Sequence, residues 1–121
     1  MNYESVVHIE SKTLAGVRFS ITRMSFGRRL ELTKRVRELS QQQDFFQAGK
    51  EITDKLNAAL VSAEIDRVYL SWGLAGVEGL ELDGEKADAE SILERAPEEF
   101  SREVITAVKA ECGLTAEERK N

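Results

Sequence analysis

The amino-acid sequence predicts an α+β fold that is mostly helical, with an N-terminal antiparallel β-hairpin packed on a bundle of three to four α-helices. Apolar and polar residues alternate near the N terminus, and apolar residues recur every three or four positions through most of the rest. Glycine and proline separate these segments. A chain of 121 residues can bury one hydrophobic core, so residues 1–121 are expected to form a single domain.

The predicted hairpin spans residues 1–22. Val17, Phe19 and Ile21 alternate with polar residues, which places apolar side chains on one face of a strand. Residues 3–10 contain three β-branched side chains and supply the other strand. Because serine, threonine and glycine lie between the two segments, antiparallel pairing is the simplest arrangement.

Two helices are predicted over residues 25–72. Ser25 is a favourable N-cap, and apolar residues follow at helical spacing to about Gln43. A second helix is expected from about Phe45 to Trp72, and Gly49 weakens its start. Its apolar positions are Ile52, Leu56, Leu60, Ala63, Ile65, Val68, Tyr69 and Trp72.

Residues 73–87 are predicted to form a glycine-rich loop or a short extended segment. Four glycines interrupt any helical pattern in this stretch, while a few apolar residues persist between them. The pair Asp83-Gly84 is typical of a tight turn, so the chain is expected to reverse there.

Helices are predicted again over residues 88–121. Asp88 is a suitable cap for a short helix, which must end before Pro97 because proline disfavours helical geometry in the preceding residue. Pro97 then begins a longer helix that stops near Gly113. Thr115 and Glu118 have the spacing of a capping box and predict one last helical turn.

Side chains that could carry out chemistry are scarce. Cys112 is the only cysteine and His8 the only histidine, so the chain lacks the four nitrogen or sulfur ligands of a structural zinc site. The sequence pattern shows no nucleophile beside an orienting base. We therefore expect neither enzyme activity nor a cofactor.

Charge and hydropathy narrow the classes of partner. The formal net charge is −5, which argues against general affinity for nucleic acid. Residues 78–121 carry 6 Lys+Arg against 13 Asp+Glu, so the acidity is concentrated in this half. Apolar runs are far shorter than the roughly 20 residues that cross a bilayer. We expect a cytoplasmic protein that binds no membrane.

Two groups of residues are candidates for binding a partner. Large aromatic and aliphatic side chains near helix ends are the first group, although most aromatics in a small domain belong to its core. The second is a predicted basic face on the first helix, which could contact nucleic acid or pair with the acidic C-terminal half. The first group is Phe45, Phe46, Tyr69, Trp72 and Leu74, and the second is Arg28, Arg29, Lys34 and Arg35.

Several short segments also occur in a suggestive order along most of the chain. They are Arg23–Arg29, Val68–Leu74, Val77–Leu80 with Asp83-Gly84, Ala96–Phe100 and Leu114–Asn121. In this order they resemble the tail assembly chaperones of long-tailed bacteriophages. The resemblance carries over no catalytic residue.

The resemblance implies a non-enzymatic helper made in the host cytoplasm and absent from the mature virion. Such a chaperone binds the long, aggregation-prone tape measure protein, keeps it soluble and assists assembly of tail tube subunits around it. The family also implies a longer form made by programmed ribosomal frameshifting. Lys120-Asn121 is compatible with this, because the two codons can read as a run of adenines.

Two other functions stay open on the sequence alone. One is a small DNA-binding or DNA-mimicking regulatory protein, which the basic segment of the first helix suggests. The predicted second helix lacks the polar N terminus of a DNA recognition helix. The other is a minor structural tail or connector protein of the virion. We also expect self-association into homo-oligomers through exposed helix or hairpin edges.

Overall fold

The computed structural model describes residues 1–113 and has the predicted α+β architecture, with 58% of these residues in helices and 17% in strands. The predicted last turn from Thr115 to Glu118 lies outside them. In chain order the elements are β1 (Val6–Glu10), β2 (Arg18–Thr22), α1 (Phe26–Ala48), α2 (Ile52–Gly73), β3 (Leu74–Glu78), β4 (Glu81–Leu82), β5 (Glu85–Lys86), α3 (Ala89–Arg95) and α4 (Glu98–Glu111).

The N-terminal hairpin is confirmed, with β1 and β2 antiparallel and Ile9 opposite Phe19. The alternation seen in the sequence puts Val17, Phe19 and Ile21 on the buried face, each no more than 4% exposed. Helices α3 and α4 and the C-terminal half of α2 complete the core on that face, where Phe19 meets the ring of Phe100 edge-on.

The glycine-rich segment adds a third strand that the hairpin prediction did not include. Of the two alternatives for residues 73–87, the extended one is correct, because β3 pairs antiparallel with the free edge of β2. Gly79 ends this strand at a positive φ of 82°, and a β-carbon there would collide with the carbonyl oxygen of Gly16. The predicted turn at Asp83-Gly84 joins β4 to β5, with both residues at positive φ.

The first two helices form a long antiparallel hairpin whose turn differs from the prediction. Ser25 caps α1 as expected by accepting a hydrogen bond from the Arg28 N–H. The helix then continues past Gln43 to Ala48, so the break falls at residues 49–51. At the start of α2 the Asp54 carboxylate accepts the N–H of Glu51 at 3.3 Å, which satisfies an otherwise unpaired donor.

The C-terminal helices follow their predicted caps. The Asp88 carboxylate accepts the Ser91 N–H at 2.8 Å. This backbone bond and the Ser91 hydroxyl both lower the pKa of Asp88. Pro97 is the N-cap of α4, one residue before the helical position that was predicted for it. Gly113 follows the helix at a φ of 81°, consistent with the predicted stop.

Unequal helix lengths shape the molecule. The 22 residues of α2 span about 33 Å, whereas the 14 residues of α4 span about 21 Å. Leu32 is the only buried residue of α1, and the buried positions of α2 begin at Val61. The half of the α1–α2 hairpin nearest its turn therefore projects beyond the core.

The base of this hairpin is held by β3 and by α4. Helix α2 runs into β3 without an intervening residue, and Gly73 lies so close to Val108 of α4 that a β-carbon would collide with its methyl groups. Two helical turns earlier in α2, the Asp66 carboxylate meets the Lys109 ammonium at 2.5 Å, with both side chains largely buried. Arg102 approaches the other Asp66 oxygen at 3.8 Å. These contacts join α2 to α4.

Glu103 of α4 anchors the loop between β1 and β2. Its carboxylate accepts the Ser11 hydroxyl at 2.7 Å, the Lys12 N–H at 2.7 Å and the Thr13 hydroxyl at 2.8 Å. Burial acts to raise the pKa of Glu103, but these donors together lower it below the ordinary value of 4.5. The charged form is therefore favoured in the folded protein.

Glu103→Gln should lower the free energy of unfolding by about 1 kcal/mol at neutral pH, since a partly exposed site screens the charged hydrogen bonds. A depressed folded-state pKa means that the stabilisation is complete above the ordinary pKa of 4.5 and disappears as the pH falls through the lower folded-state value. Urea unfolding of both proteins from neutral to acidic pH measures this difference. Glu64→Gln, at an exposed position of α2, is the control, and an equal pH dependence in both variants would contradict the assignment.

Candidate functional site

The projecting part of α2 carries a row of exposed apolar side chains. Ile52, Leu56 and Leu60 are 77%, 65% and 63% exposed and follow one another at four-residue steps. The half-buried Ala58 and the buried Val61 lie on the opposite side of the helix, which α1 covers. Side chains of this size are normally removed from water, so this face is a candidate binding surface.

Two alanines extend the row toward the core. Ala59 and Ala63 are exposed on the same side, so the apolar positions 52, 56, 59 and 63 are separated by four, three and four residues. This spacing is typical of the seam along which one helix packs against another in a coiled coil. We call Ile52, Leu56, Ala59, Leu60 and Ala63 the α2 stripe.

Phe45 and Phe46 lie at the same end of the hairpin as the start of the stripe. Both belong to the last turn of α1, directly before the 49–51 connection, and their rings meet edge-on at 5.5 Å. Phe45 is 73% exposed, whereas Phe46 is half-buried. Phe45 is thus the member of the first predicted group that the structure places freely at the surface.

The other three members of that group belong to the core or its border. Tyr69 and Trp72 are buried, and Leu74 is half-buried in β3. The Arg28 guanidinium covers the Trp72 ring at 4.0 Å and donates to the Trp72 carbonyl at 2.8 Å. Arg28, which lies beside Trp72, is about 27 Å from Phe46 along α1. Trp72 is therefore far from the two phenylalanines, and the five residues do not form one surface.

The predicted basic residues do not form one face either. Arg28 is committed to Trp72, and Arg29 reaches the carbonyl of Cys112 at 3.5 Å. Arg35 pairs with Glu31 of its own helix, and Lys34 points about 100° away from it around the helix axis. Within residues 1–113, an ion pair that links the helical hairpin to the acidic C-terminal half comes instead from α2, where Arg67 meets Glu94 at 3.4 Å.

A polar groove of about 590 Å³ spans the sheet from β1 to β3 and reaches the residues between β5 and α3. His8 and Ser20 face each other across β1 and β2 and line it together with Lys86 and Asp88. Within residues 1–113 no hydrogen bond joins His8 to Ser20, and the Asp88 carboxylate is engaged as the cap of α3. The pairing of strands and the cap of α3 account for the position of these groups.

No protein-family model, curated protein or solved structure matches this chain. Residues 1–113 contain no group of three or more histidine, cysteine, aspartate or glutamate side chains placed to hold a metal ion. None of the helices in that range combines the length and the hydropathy of a membrane span.

The exposure of the α2 stripe did not follow from the sequence pattern. Periodicity identifies an apolar face but not what covers it. The predicted helix lengths held a usable signal. The two helices over residues 25–72 are each longer than any later helix that could pack against them, so part of the pair must extend past the core.

Proposed function

We propose that this chain is a non-enzymatic binding protein that covers apolar helical segments of another protein, as a phage tail assembly chaperone for the tape measure protein. The observation that carries the proposal is the exposed α2 stripe on a projecting helical hairpin. In this role the chain works in the host cytoplasm and leaves before the virion is complete.

The stripe favours a helical client. A helix packs against another helix when apolar residues repeat at alternating three- and four-residue steps, which the stripe supplies from Ile52 to Ala63. Burying the exposed parts of its large side chains contributes the main driving force for association. A second helix laid along α2 would cover the stripe, and the nearby Phe45 would extend the apolar contact.

The same surface argues against nucleic acid as the partner. Binding to phosphates depends on clustered cations, and the basic side chains of α1 point in different directions or are engaged within the fold. The stripe itself is apolar. A protein client therefore fits the exposed chemistry better than DNA does.

The resemblance supplies the choice of client. Tape measure proteins of the family are long and prone to aggregate, so exposed apolar stripes on the client would match the one on α2. The tail tube subunit is the second partner that the resemblance suggests. A frameshifted longer form belongs to the same proposal.

Leu56→Glu should weaken client binding about 10- to 100-fold, because it removes one buried leucine contact and places a charge in the seam. The measurement is the soluble yield of the tape measure protein co-expressed with each variant, followed by co-purification. Asn57→Glu is the matched control, since it introduces the same charge at the neighbouring exposed position off the stripe. Equal solubilisation by both variants would remove the stripe from the mechanism.

The rival functions are tested with the same material. A virion subunit would be present in purified particles, whereas the proposed chaperone should be absent from them. A DNA-binding protein would be retained on DNA at moderate ionic strength and released by salt. Failure of the wild-type chain to solubilise any tape measure protein encoded with it would defeat the proposal.

A further inference from the structure

We propose that the α2 stripe also binds a second copy of this chain, in an antiparallel arrangement with two-fold symmetry. In this arrangement Ile52 and Leu56 of one copy face Ala63 and Ala59 of the other. The inference concerns the state of the chain in the absence of any client. It rests on the composition and exposure of the stripe rather than on the proposed function.

The stripe is complementary in shape to itself. Along the middle of the stripe, Ile52 and Leu56 lie near the hairpin turn and the small Ala59 and Ala63 lie near the core, while Leu60 lies at one edge. Antiparallel pairing therefore sets large against small residues at each level, as well-packed helix interfaces require. Parallel pairing would set Ile52 against Ile52 and leave a gap at the alanines.

The charges beside the stripe permit the same pairing. Between Ile52 and Ala63 the residues that flank the stripe carry one charge, that of Lys55. An antiparallel alignment centred between Asn57 and Ala58 places Lys55 near Ser62 of the second copy, on the same edge of the seam. Each Lys55 therefore has a neutral residue opposite it across the seam. Two-fold symmetry gives both copies these contacts.

The size of the interface makes this a weak and exchangeable pair. Three large and two small side chains bury roughly 300–400 Å² per copy, since a fully buried large side chain accounts for about 60–120 Å². Stable complexes bury about 800 Å² per partner. We expect a dissociation constant on the order of 10 µM.

Self-pairing would regulate the access of a client to the α2 stripe. This consequence alone rests on the proposed function. A second copy and a client helix would compete for the same residues, Ile52, Leu56 and Leu60. The pair would shield these side chains from water while no client is present. A client that offers more apolar contact would then displace the second copy.

Disulfide formation between two single-cysteine chains tests the antiparallel arrangement. Both chains carry Cys112→Ala; burial raises the pKa of this native thiol, and its removal leaves a single reactive site. Ile52→Cys is placed in one chain and Ala63→Cys in a chain of different length. Oxidation of the mixture should give mainly the mixed disulfide, at least about 10-fold above either symmetric product, because the two copies of position 52 lie about 16 Å apart along the helix. Predominance of a symmetric disulfide, or no disulfide at all, would overturn the arrangement.

Analytical ultracentrifugation over a concentration series tests the pairing without cysteines. The wild-type chain and Asn57→Glu should dimerise with constants within about 2-fold of each other, and Leu56→Glu should weaken dimerisation at least about 10-fold. Circular dichroism verifies that each variant is folded. A wild-type chain that stays monomeric at about 200 µM refutes self-pairing while leaving client solubilisation to be judged by co-expression. A dimer that solubilises no client refutes the chaperone proposal instead.

Discussion

Replacing Asp66 with alanine is expected to lower the free energy of unfolding by about 3–5 kcal/mol. The Lys109 side chain is 4% exposed, and its ammonium lies 2.5 Å from the carboxylate of Asp66, whose side chain is 11% exposed. Removing the carboxylate takes the Asp66 anion away from a buried cation, so less of the desolvation cost of that charge is offset. Urea denaturation followed by circular dichroism measures the change.

The double variant Asp66→Ala with Lys109→Met separates the cost of the buried Lys109 charge from the loss of packing. We expect it to recover a large part of the stability lost in Asp66→Ala, since an apolar side chain then occupies the buried position. Glu94→Ala is the control, because its partner Arg67 is exposed and the pair should be worth less than about 1 kcal/mol. Equal losses from Asp66→Ala and Glu94→Ala would show that burial does not govern these ion pairs.

Phe100→Ala should cost about 3–5 kcal/mol of unfolding free energy. Phe100 is 0% exposed, and its ring contacts the Phe19 ring edge-on with centroids 5.8 Å apart. The substitution leaves a cavity between the sheet and α4 and removes an aromatic pair. Chemical denaturation gives the free energy, and a slope unchanged from wild type indicates that the unfolding reaction is the same.

Phe45→Ala is the matched control for this loss. It removes the same side chain from a position that is 73% exposed, so the expected change is within about 0.5 kcal/mol. The two phenylalanines differ in burial rather than in chemistry. A large loss at Phe45 would mean that the exposed tip of α1 contributes to the core, contrary to the structure.

The sheet shows how far local pattern predicts structure. The strands near Phe19 and Ile9 were predictable because alternation of apolar and polar residues predicts a strand with one buried face. Strand β3 was not, because Gly76 and Gly79 lower strand propensity and their use depends on a distant partner. Gly76 lies opposite Ser20, and Gly79 lies against Gly16, contacts that only the folded chain creates.

The candidate site was predicted in part. Phe45 was a candidate on sequence grounds, and the structure places it at the surface, at the end of α1 and not at the start of α2. The length of α1 was underestimated because the polar run of residues 40–44 has no apolar periodicity, yet packing along α2 keeps it helical. Trp72 and Arg28 belong to different candidate groups in the sequence, and their stacking is a tertiary contact that the sequence does not show.

The direct passage from α2 into β3 fixes the orientation of the projecting hairpin relative to the sheet. Since Gly73 lies against Val108 and the next residue already belongs to the sheet, the helix has no hinge at its base. Its free end is therefore aimed in a fixed direction relative to the sheet. A ligand that docks along it meets a surface already in place and loses little conformational entropy in ordering it.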